Sequence, residues 1–133
     1  MGKFILLVDD EPDIRDVLGA SLRKVGFEVK CAGTGQEALR MFLKTYYDRP
    51  FDVILLDVGL PDVDGCDVLK TIRQEEEIRG VNYDSGVKII MQTGKKDPYM
   101  EAFNRGCDDY IIKPYSFEDL IKKINEKIET ENN

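Results

Sequence analysis

Five apolar runs, each followed by a segment with helical patterning, constrain the fold of this chain more than any other feature. The runs cover residues 4–8, 27–32, 53–57, 87–91 and 109–112. They recur about every 27 residues, close to the usual size of a strand-plus-helix unit. Apolar runs bounded by turn signals are typical of strands buried on both faces. We therefore predict an α/β fold, with one five-stranded parallel sheet and five helices on both of its faces.

The segments between the runs carry apolar residues at helical spacing. In the first segment, one face of the helix is marked by Ile14, Val17, Leu18, Leu22 and Val25. The third predicted helix ends in three consecutive glutamates, residues 75–77, which we expect on a solvated face. A short fourth helix is predicted before the last strand, and its apolar residues are Met100, Ala102 and Phe103.

Capping residues mark where several of these helices begin. Thr34, with Glu37 three residues later, is a capping box. Asp64 and Ser116 are predicted caps of the third and last helices. Gly33 and Gly35 flank Thr34, but their spacing matches neither a Rossmann nor a Walker phosphate loop, so we assign this stretch to capping.

Length and composition limit the classes of function. The 133 residues suffice for one domain, which we expect to span residues 1–133. The net charge of −7, with scattered Lys and Arg, argues against direct nucleic-acid binding, and no apolar run approaches membrane-spanning length. The three cysteines, Cys31, Cys66 and Cys107, fit neither a zinc site nor a disulfide framework and favour a reducing cytoplasm. The absence of histidine excludes histidine-based catalysis and most zinc sites.

Four of the five runs end on a chemically capable side chain. Asp9 and Asp10 follow the first, Asp57 ends the third, Thr93 follows the fourth and Lys113 follows the fifth. A lone Asp after a strand is usually a turn or cap residue, but a carboxylate there can also be a nucleophile, a base or a metal ligand. In a doubly wound sheet of order 2-1-3-4-5, an order taken from known folds, the four strands are neighbours and these groups converge.

Converged carboxylates repel one another unless a cation is present. Oxygen ligands without His or Cys suit Mg²⁺, while Lys113 and Thr93 add a positive charge and a hydroxyl donor. Such a set can hold a phosphoryl group beside a nucleophilic carboxylate. The pattern therefore predicts phosphorylation of Asp57, with Asp9 and Asp10 holding Mg²⁺.

Taken together, these residues resemble the receiver domain of two-component response regulators, which has a flavodoxin-like fold. The resemblance covers about residues 3–128. The matching residues are Asp9, Asp10, Asp57, Leu60, Pro61, Asp64, Gly65, Thr93, Tyr110, Lys113 and Pro114. Each of these residues alone is weak evidence for the family, but all of them in this order at the expected strand ends are highly specific for it.

The resemblance assigns an expected role to each site residue. It implies that Asp57 accepts a phosphoryl group from a phosphohistidine on a sensor histidine kinase or a histidine phosphotransfer protein. The ligands implied for Mg²⁺ are the carboxylates of Asp10 and Asp57, Asp9 directly or through water, and the backbone carbonyl of Gly59. Thr93 and Lys113 are expected to engage the phosphoryl oxygens, Tyr110 to turn inward as an aromatic switch, and the Lys113–Pro114 bond to be cis.

The same resemblance implies how the signal leaves the domain. A downstream protein is expected to dock on the surface of the predicted fourth helix and fifth strand, near Pro98, Tyr99, Met100, Tyr110 and Tyr115. We expect a receiver without an attached output domain, which promotes its own phosphorylation and dephosphorylation but turns over no separate substrate. No membrane partner is expected.

The sequence departs from the commoner receiver pattern at three places. Gly59 is small where many relatives carry a larger side chain, and Gly94 follows Thr93 where Ala is more usual. Residues 74–86 are long for a connection plus a helix end, and we interpret them as a tolerated loop rather than a recognition insertion.

Three other functions were weighed against the receiver. A Mg²⁺-dependent phosphatase with an aspartyl nucleophile usually carries Asp-x-Asp after a strand, which neither Asp57 nor Asp9 satisfies. An FMN-binding module needs a hydroxyl-rich phosphate loop where this chain has Asp9, Asp10 and Glu11. A phosphorylation-independent scaffold with a receiver fold remains an alternative, although the complete acidic set argues against it.

Overall fold

The computed structural model describes residues 2–81, 85–94 and 106–131. The described residues contain five strands and four helices. In chain order these are β1 Phe4–Val8, α1 Pro12–Lys24, β2 Glu28–Ala32, α2 Gly35–Thr45, β3 Val53–Asp57, α3 Gly65–Ile78, β4 Lys88–Thr93, β5 Asp109–Ile112 and α4 Phe117–Glu131. The predicted short helix with Met100, Ala102 and Phe103 lies outside the described residues.

The strands form one parallel sheet in the order β2-β1-β3-β4-β5, which confirms the predicted doubly wound architecture. Leu7 of β1 pairs with Leu55 of β3, and Leu55 pairs with Ile90 of β4. Because the strands are parallel and in register, their carboxyl ends meet at one edge of the sheet. We call this the carboxyl edge and the opposite one the amino edge.

Two apolar cores lie on opposite faces of the sheet. One face packs against α2 and α3, whose buried residues include Phe42 and Ile72. The other face, which carries Leu7, Leu55 and Ile90, packs against α1 and α4. Since side chains alternate along a strand, each strand residue can be assigned to one of these two faces.

The predicted helix caps are confirmed. The Thr34 hydroxyl accepts from the Glu37 N–H at 3.1 Å, the Asp64 carboxylate accepts from the Cys66 N–H at 2.9 Å, and the Ser116 hydroxyl accepts from the Asp119 N–H at 3.1 Å. These bonds satisfy N–H groups that have no partner within the helix itself. The predicted cis Lys113–Pro114 bond is also present.

The apolar stripe predicted for α1 is only partly used by the core. Leu22 is fully buried, but Ile14, Val17 and Val25 are 37%, 69% and 54% exposed. The exposed residues lie in the first two turns of α1 and at its C-terminal cap. The predicted face of the helix is therefore only partly covered by the sheet.

The prediction of a solvated glutamate face was wrong for Glu76. Its side chain is 4% exposed, and its carboxylate accepts from the Arg73 guanidinium at 2.7 Å and from the Val87 N–H at 2.7 Å. Helix α3 continues to Ile78 and turns at Gly80, whose φ of 77° is one that glycine adopts readily. The first part of the segment 74–86 is thus helix held by a buried carboxylate, while residues 82–84 lie outside the described ranges.

None of the helices in the described ranges combines the length and apolar character that crossing a bilayer requires.

Candidate functional site

Three carboxylates meet at the carboxyl edge of the sheet. Asp57 is the last residue of β3, and Asp9 and Asp10 directly follow β1. One oxygen of each lies within 4.8 Å of an oxygen of the others. Asp9 is fully buried, Asp57 is 8% exposed and Asp10 faces solvent. This donor set of carboxylate oxygens, open on one side, fits the ligand preference of Mg²⁺.

Lys113 bridges the two buried carboxylates. Its ammonium lies 3.2 Å from Asp57 Oδ2 and 3.3 Å from Asp9 Oδ2. Burial raises the pKa of Asp57, Lys113 opposes that shift, and the Asp9 charge adds to it. For Lys113, burial favours a lower pKa, but the charges of Asp57 and Asp9 outweigh it and the pKa is raised. Because the three clustered carboxylates have one ammonium that bridges only two of them, the cluster retains negative charge that a bound cation can neutralise.

The loop after β3 holds Asp57 through its backbone. The Gly59 N–H donates to Asp57 Oδ1 at 3.3 Å, and the Gly65 N–H donates to the Val58 carbonyl at 2.9 Å. A Cβ on Gly65 would lie 2.2 Å from the Asp57 carbonyl oxygen, so only glycine fits there. A Cβ on Gly59 or on Gly94 would meet nothing within 4 Å, as expected if these two residues leave the site open.

Thr93 ends β4 and Tyr110 lies within β5, and both side chains belong to the other face of the sheet. Thr93 is the last residue of β4, is 5% exposed, and its carbonyl accepts from the Lys113 N–H at 2.7 Å. Tyr110 is half-buried, pairs with Met91 in register and packs against the core on the side of α2 and α3. Asp57 follows Leu55 by two residues and therefore belongs to the face of α1 and α4.

Asp62 was not singled out from the sequence. Its carboxylate accepts from the Gly35 N–H at 2.8 Å and from the Gln36 N–H at 2.9 Å, which ties the loop after β3 to the start of α2. These two bonds, Gln36 first, lower the pKa of Asp62. The partners are 26 and 27 residues apart in the chain, so no local pattern could have indicated them.

An apolar groove beside Lys113 was also missed. It has a volume of about 400 Å³ and is lined by the exposed residues of α1 and by the segment after β5. Its main lining residues are Ile14, Val17, Pro114, Tyr115 and Phe117. The signal was present in the α1 stripe, but the sequence does not tell how much of that stripe the sheet covers.

The buried end of β4 adds a polar pair, Gln92 and Tyr115, that the sequence pattern does not indicate. Gln92, which pairs with Asp57 in register, is fully buried, and its side-chain oxygen accepts a hydrogen bond from the Tyr115 hydroxyl. A polar side chain therefore stands next to Asp57 in the sheet, on the same face.

A family model described as the response regulator receiver domain matches residues 5–125. The match includes every residue predicted for the site, from Asp9 to Lys113.

Solved structures with similar folds cover nearly the whole chain. A CheY-like response regulator receiver domain protein from Methanospirillum hungatei is 34% identical, with 99% of this chain and 98% of that chain covered and a TM-score of 0.80. The response regulator TrrA from Thermotoga maritima, solved in complex with Mg²⁺-BeF, is 31% identical, with coverage of 94% and 98% and a TM-score of 0.76.

A third similar structure contains a signalling partner. It is the co-crystal structure of the Saccharomyces cerevisiae histidine phosphotransfer protein Ypd1 with the receiver domain of its downstream response regulator Ssk1. The identity is 30%, the coverage is 94% of this chain and 88% of that chain, and the TM-score is 0.80.

Proposed function

This chain belongs to the response regulator receiver domain family, whose members are phosphorylation-activated switches of two-component signalling, and from that premise we propose that Asp57 is its phosphoacceptor. The observation that carries the proposal is the position of Asp57. It is a buried carboxylate at the end of a central strand, 3.2 Å from a lysine ammonium and clustered with two further carboxylates. An Asp that only stabilises a turn or caps a helix does not require burial beside a lysine and two further carboxylates.

The proposed reaction is a phosphoryl transfer. An Asp57 oxygen attacks the phosphorus of a phosphohistidine, the P–N bond breaks, and the imidazole leaves with the electron pair and takes up a proton. The Lys113 ammonium, held between Asp57 and Asp9, stabilises the negative charge on the phosphoryl oxygens. The backbone N–H of Gly59 fixes the other Asp57 oxygen, so the carboxylate is oriented before the phosphodonor arrives.

Asp9, Asp10, Asp57 and the Gly59 carbonyl are the residues that would hold Mg²⁺. Three clustered carboxylates with one ammonium support this assignment, because the surplus negative charge would otherwise repel a phosphoryl group. When bound, Mg²⁺ neutralises charge on the carboxylates and on the phosphoryl oxygens.

We assign the conformational readout to Thr93 and Tyr110. A new negative charge on Asp57 attracts the Thr93 hydroxyl from the adjoining strand end, and Tyr110 turns into the space that this movement leaves. The Lys113 N–H bond to the Thr93 carbonyl supports a coupling between the two strand ends. The downstream partner would bind at β5 and the predicted helix before it, although that helix lies outside the described residues.

The apolar groove beside Lys113 is where we place the phosphodonor. Lys113 lines the groove itself, so a protein seated on it brings its phosphohistidine to Asp57. The exposed apolar side chains of α1, Ile14 and Val17, suit the apolar face of a partner helix. The Ssk1 receiver domain, which this chain resembles, has been solved with a histidine phosphotransfer protein.

We also propose that the chain hydrolyses its own acyl phosphate rather than turning over a separate substrate. The open space at Gly59 and Gly94 supports this, because water can approach the phosphorylated Asp57 from that side.

Intact-protein mass after treatment with acetyl phosphate tests the proposal. The wild type is expected to gain one phosphoryl group with Mg²⁺ and none in EDTA. Asp57→Asn is expected to gain none, whereas Asp16→Asn, which removes an exposed carboxylate of α1, is expected to behave like the wild type. A folded wild type that gains no phosphoryl group, beside a working positive control, would overturn the proposal in favour of a phosphorylation-independent scaffold.

A further inference from the structure

Gln92 occupies an unusual place for a polar side chain. It is fully buried near the end of β4 and pairs with Asp57 of β3. Ile90, two residues earlier, belongs to the core on the side of α1 and α4, so Gln92 lies on that same face. Side chains paired across neighbouring strands of one face are close enough to interact. Gln92 is therefore an immediate neighbour of the proposed phosphoacceptor.

The Gln92 amide has one partner. Its Oε1 accepts from the Tyr115 hydroxyl, and its buried Nε2 has no hydrogen-bond partner among the described residues. Buried amides are almost always satisfied, and leaving one unsatisfied destabilises the folded state. The Tyr115 bond is thus the interaction that keeps this buried amide in a single orientation.

Tyr115 ties the loop after β5 to β4. It lies two residues after Lys113, and the Lys113 N–H already donates to the Thr93 carbonyl at 2.7 Å. The loop is therefore joined to the end of β4 on both sides of the Lys113 side chain, once through backbone and once through Tyr115. Burial, and then the charges of Asp9 and Asp57, raise the pKa of Tyr115 to about 12, so its hydroxyl remains a donor at neutral pH.

We propose that Gln92 and Tyr115 form a latch that positions the Lys113 ammonium against Asp57 for phosphoryl transfer. The two are positioning residues, since they act through Lys113. The inference rests on the proposed function and adds to it a positioning role that the receiver resemblance gives to neither Gln92 nor Tyr115. It follows from the contacts of these side chains and from their place in the sheet.

Three variants separate positioning from stability. Tyr115→Phe removes only the hydroxyl and leaves the Gln92 amide buried without a partner. Gln92→Met removes the amide. The double variant Gln92→Met/Tyr115→Phe replaces the pair by two apolar side chains, which is expected to restore the urea midpoint close to that of the wild type.

The rate of phosphorylation by acetyl phosphate is then measured at saturating Mg²⁺. A positioning role predicts a rate about tenfold lower in Tyr115→Phe and in the double variant alike, because small misplacements of a reacting group slow transfer steeply. The Mg²⁺ concentration for half-maximal rate stays unchanged, since the metal cluster is untouched. Tyr47→Phe, which removes a hydroxyl from a residue that is 80% exposed, serves as the control and keeps the wild-type rate.

The outcomes distinguish the two proposals. A wild type that takes up no phosphoryl group overturns the proposed function, and the latch with it. A wild type that is phosphorylated, together with a stable double variant that reacts at the same rate, overturns the latch alone and leaves a structural hydrogen bond. A slow double variant with restored stability supports the latch.

Discussion

At the carboxyl edge of the sheet one lysine bridges two of three clustered carboxylates, whereas at the amino edge one buried and one partly buried carboxylate pair with two cations. The amino-edge network consists of Arg73, Glu76, Lys88 and Asp108. Both clusters contain buried carboxylates, Asp9 and Asp57 at the carboxyl edge and Glu76 at the amino edge. The carboxyl edge keeps surplus negative charge among the described residues, which suits it to a ligand. The charges of the amino edge are paired, which suits that cluster to holding the fold together.

Arg73 is the centre of the amino-edge network. Its Nε donates to the Gly106 carbonyl at 2.6 Å, and its Nη1 donates to Glu76 at 2.7 Å and to the Val87 carbonyl at 2.9 Å. Its Nη2 donates to Asp108 at 2.9 Å. These bonds join α3 to the starts of β4 and β5. Buried charges with this degree of pairing are expected to be structural, because each desolvated group has a partner.

The largest effect is expected from breaking the amino-edge network. Arg73→Met should destabilise the fold by about 3–5 kcal/mol, because it leaves Glu76 and Asp108 without their principal cation in a buried site. Urea denaturation measures the loss. Lys70→Met, at an exposed position of the same helix, should change stability by less than about 0.5 kcal/mol. If both variants lost equally little stability, Glu76 and Asp108 would have to be solvated, and the amino-edge network would not hold the fold together.

The amino-edge network could not be predicted from the sequence, in contrast to the carboxyl edge. Asp9, Asp57 and Lys113 were found because each follows an apolar run, and parallel strands bring their ends together. The strand order, however, came from the resemblance rather than from the residues. Glu76 looked solvated because it stands among glutamates, and its burial depends on Arg73 and on the N–H of Val87, eleven residues later.

The exposed residues of α1 also show that a local sequence pattern does not reveal burial. Helical spacing indicates which residues share a face, and it did so for Ile14, Val17 and Leu22. It does not indicate how far the sheet extends beneath that face. The hydrogen bond of Gln92 could not be predicted, because the apolar run of β4 ends at Met91 and the partner Tyr115 lies 23 residues away.

Mg²⁺ should stabilise the carboxyl edge independently of the amino edge. At ten times its dissociation constant, the ion is expected to add about 1.4 kcal/mol to the free energy of unfolding of the wild type. Arg73→Met, although less stable, should gain the same increment, because its carboxyl edge is intact. Asp10→Asn should gain much less.

Urea midpoints with and without Mg²⁺ measure these increments, with Asp16→Asn as the exposed control. An increment in Asp10→Asn equal to that of the wild type would place the ion elsewhere. An increment missing from Arg73→Met would mean that the two edges are not independent.

Removing a charge at the carboxyl edge should stabilise the metal-free protein. Without Mg²⁺, Asp57→Asn is expected to be more stable than the wild type at pH 7 by about 1 kcal/mol, because it removes a charge whose burial cost Lys113 offsets only in part. Burial raises the pKa of Asp57 above its ordinary value of 3.8. The folded state therefore binds this proton more tightly than the unfolded state, and the wild type loses stability relative to the variant as pH rises from that value through the raised pKa.

Urea midpoints in EDTA, taken from pH 4 to pH 7, test this pH dependence. The stability difference should be small at pH 4 and grow towards pH 7. A difference that is constant with pH would assign it to packing rather than to charge.

The last effect expected is confined to one edge of the sheet, and the reactivity of one cysteine near each edge measures it. Cys107 lies at the amino edge, between two residues that Arg73 binds, and burial followed by the charge of Asp108 raises the pKa of its thiol to about 11. Cys66 lies near the carboxyl edge, where burial followed by a hydrogen bond with Asp64 raises the pKa to about 12. At pH 8 both should react slowly with iodoacetamide, because only about one thiol in a thousand or fewer is ionised.

Arg73→Met should accelerate the alkylation of Cys107 by about tenfold and change that of Cys66 by less than about twofold, since local opening depends on local contacts. Peptide mass mapping of the two sites, under conditions where the variant remains folded, gives both rates from one sample. Equal acceleration at both sites would mean that the variant opens globally and that Arg73 does not lock the amino edge in particular. Acceleration confined to Cys107 would show that the two charged clusters stabilise separate parts of one sheet. The charge at the carboxyl edge could then change without destabilising the rest of the fold.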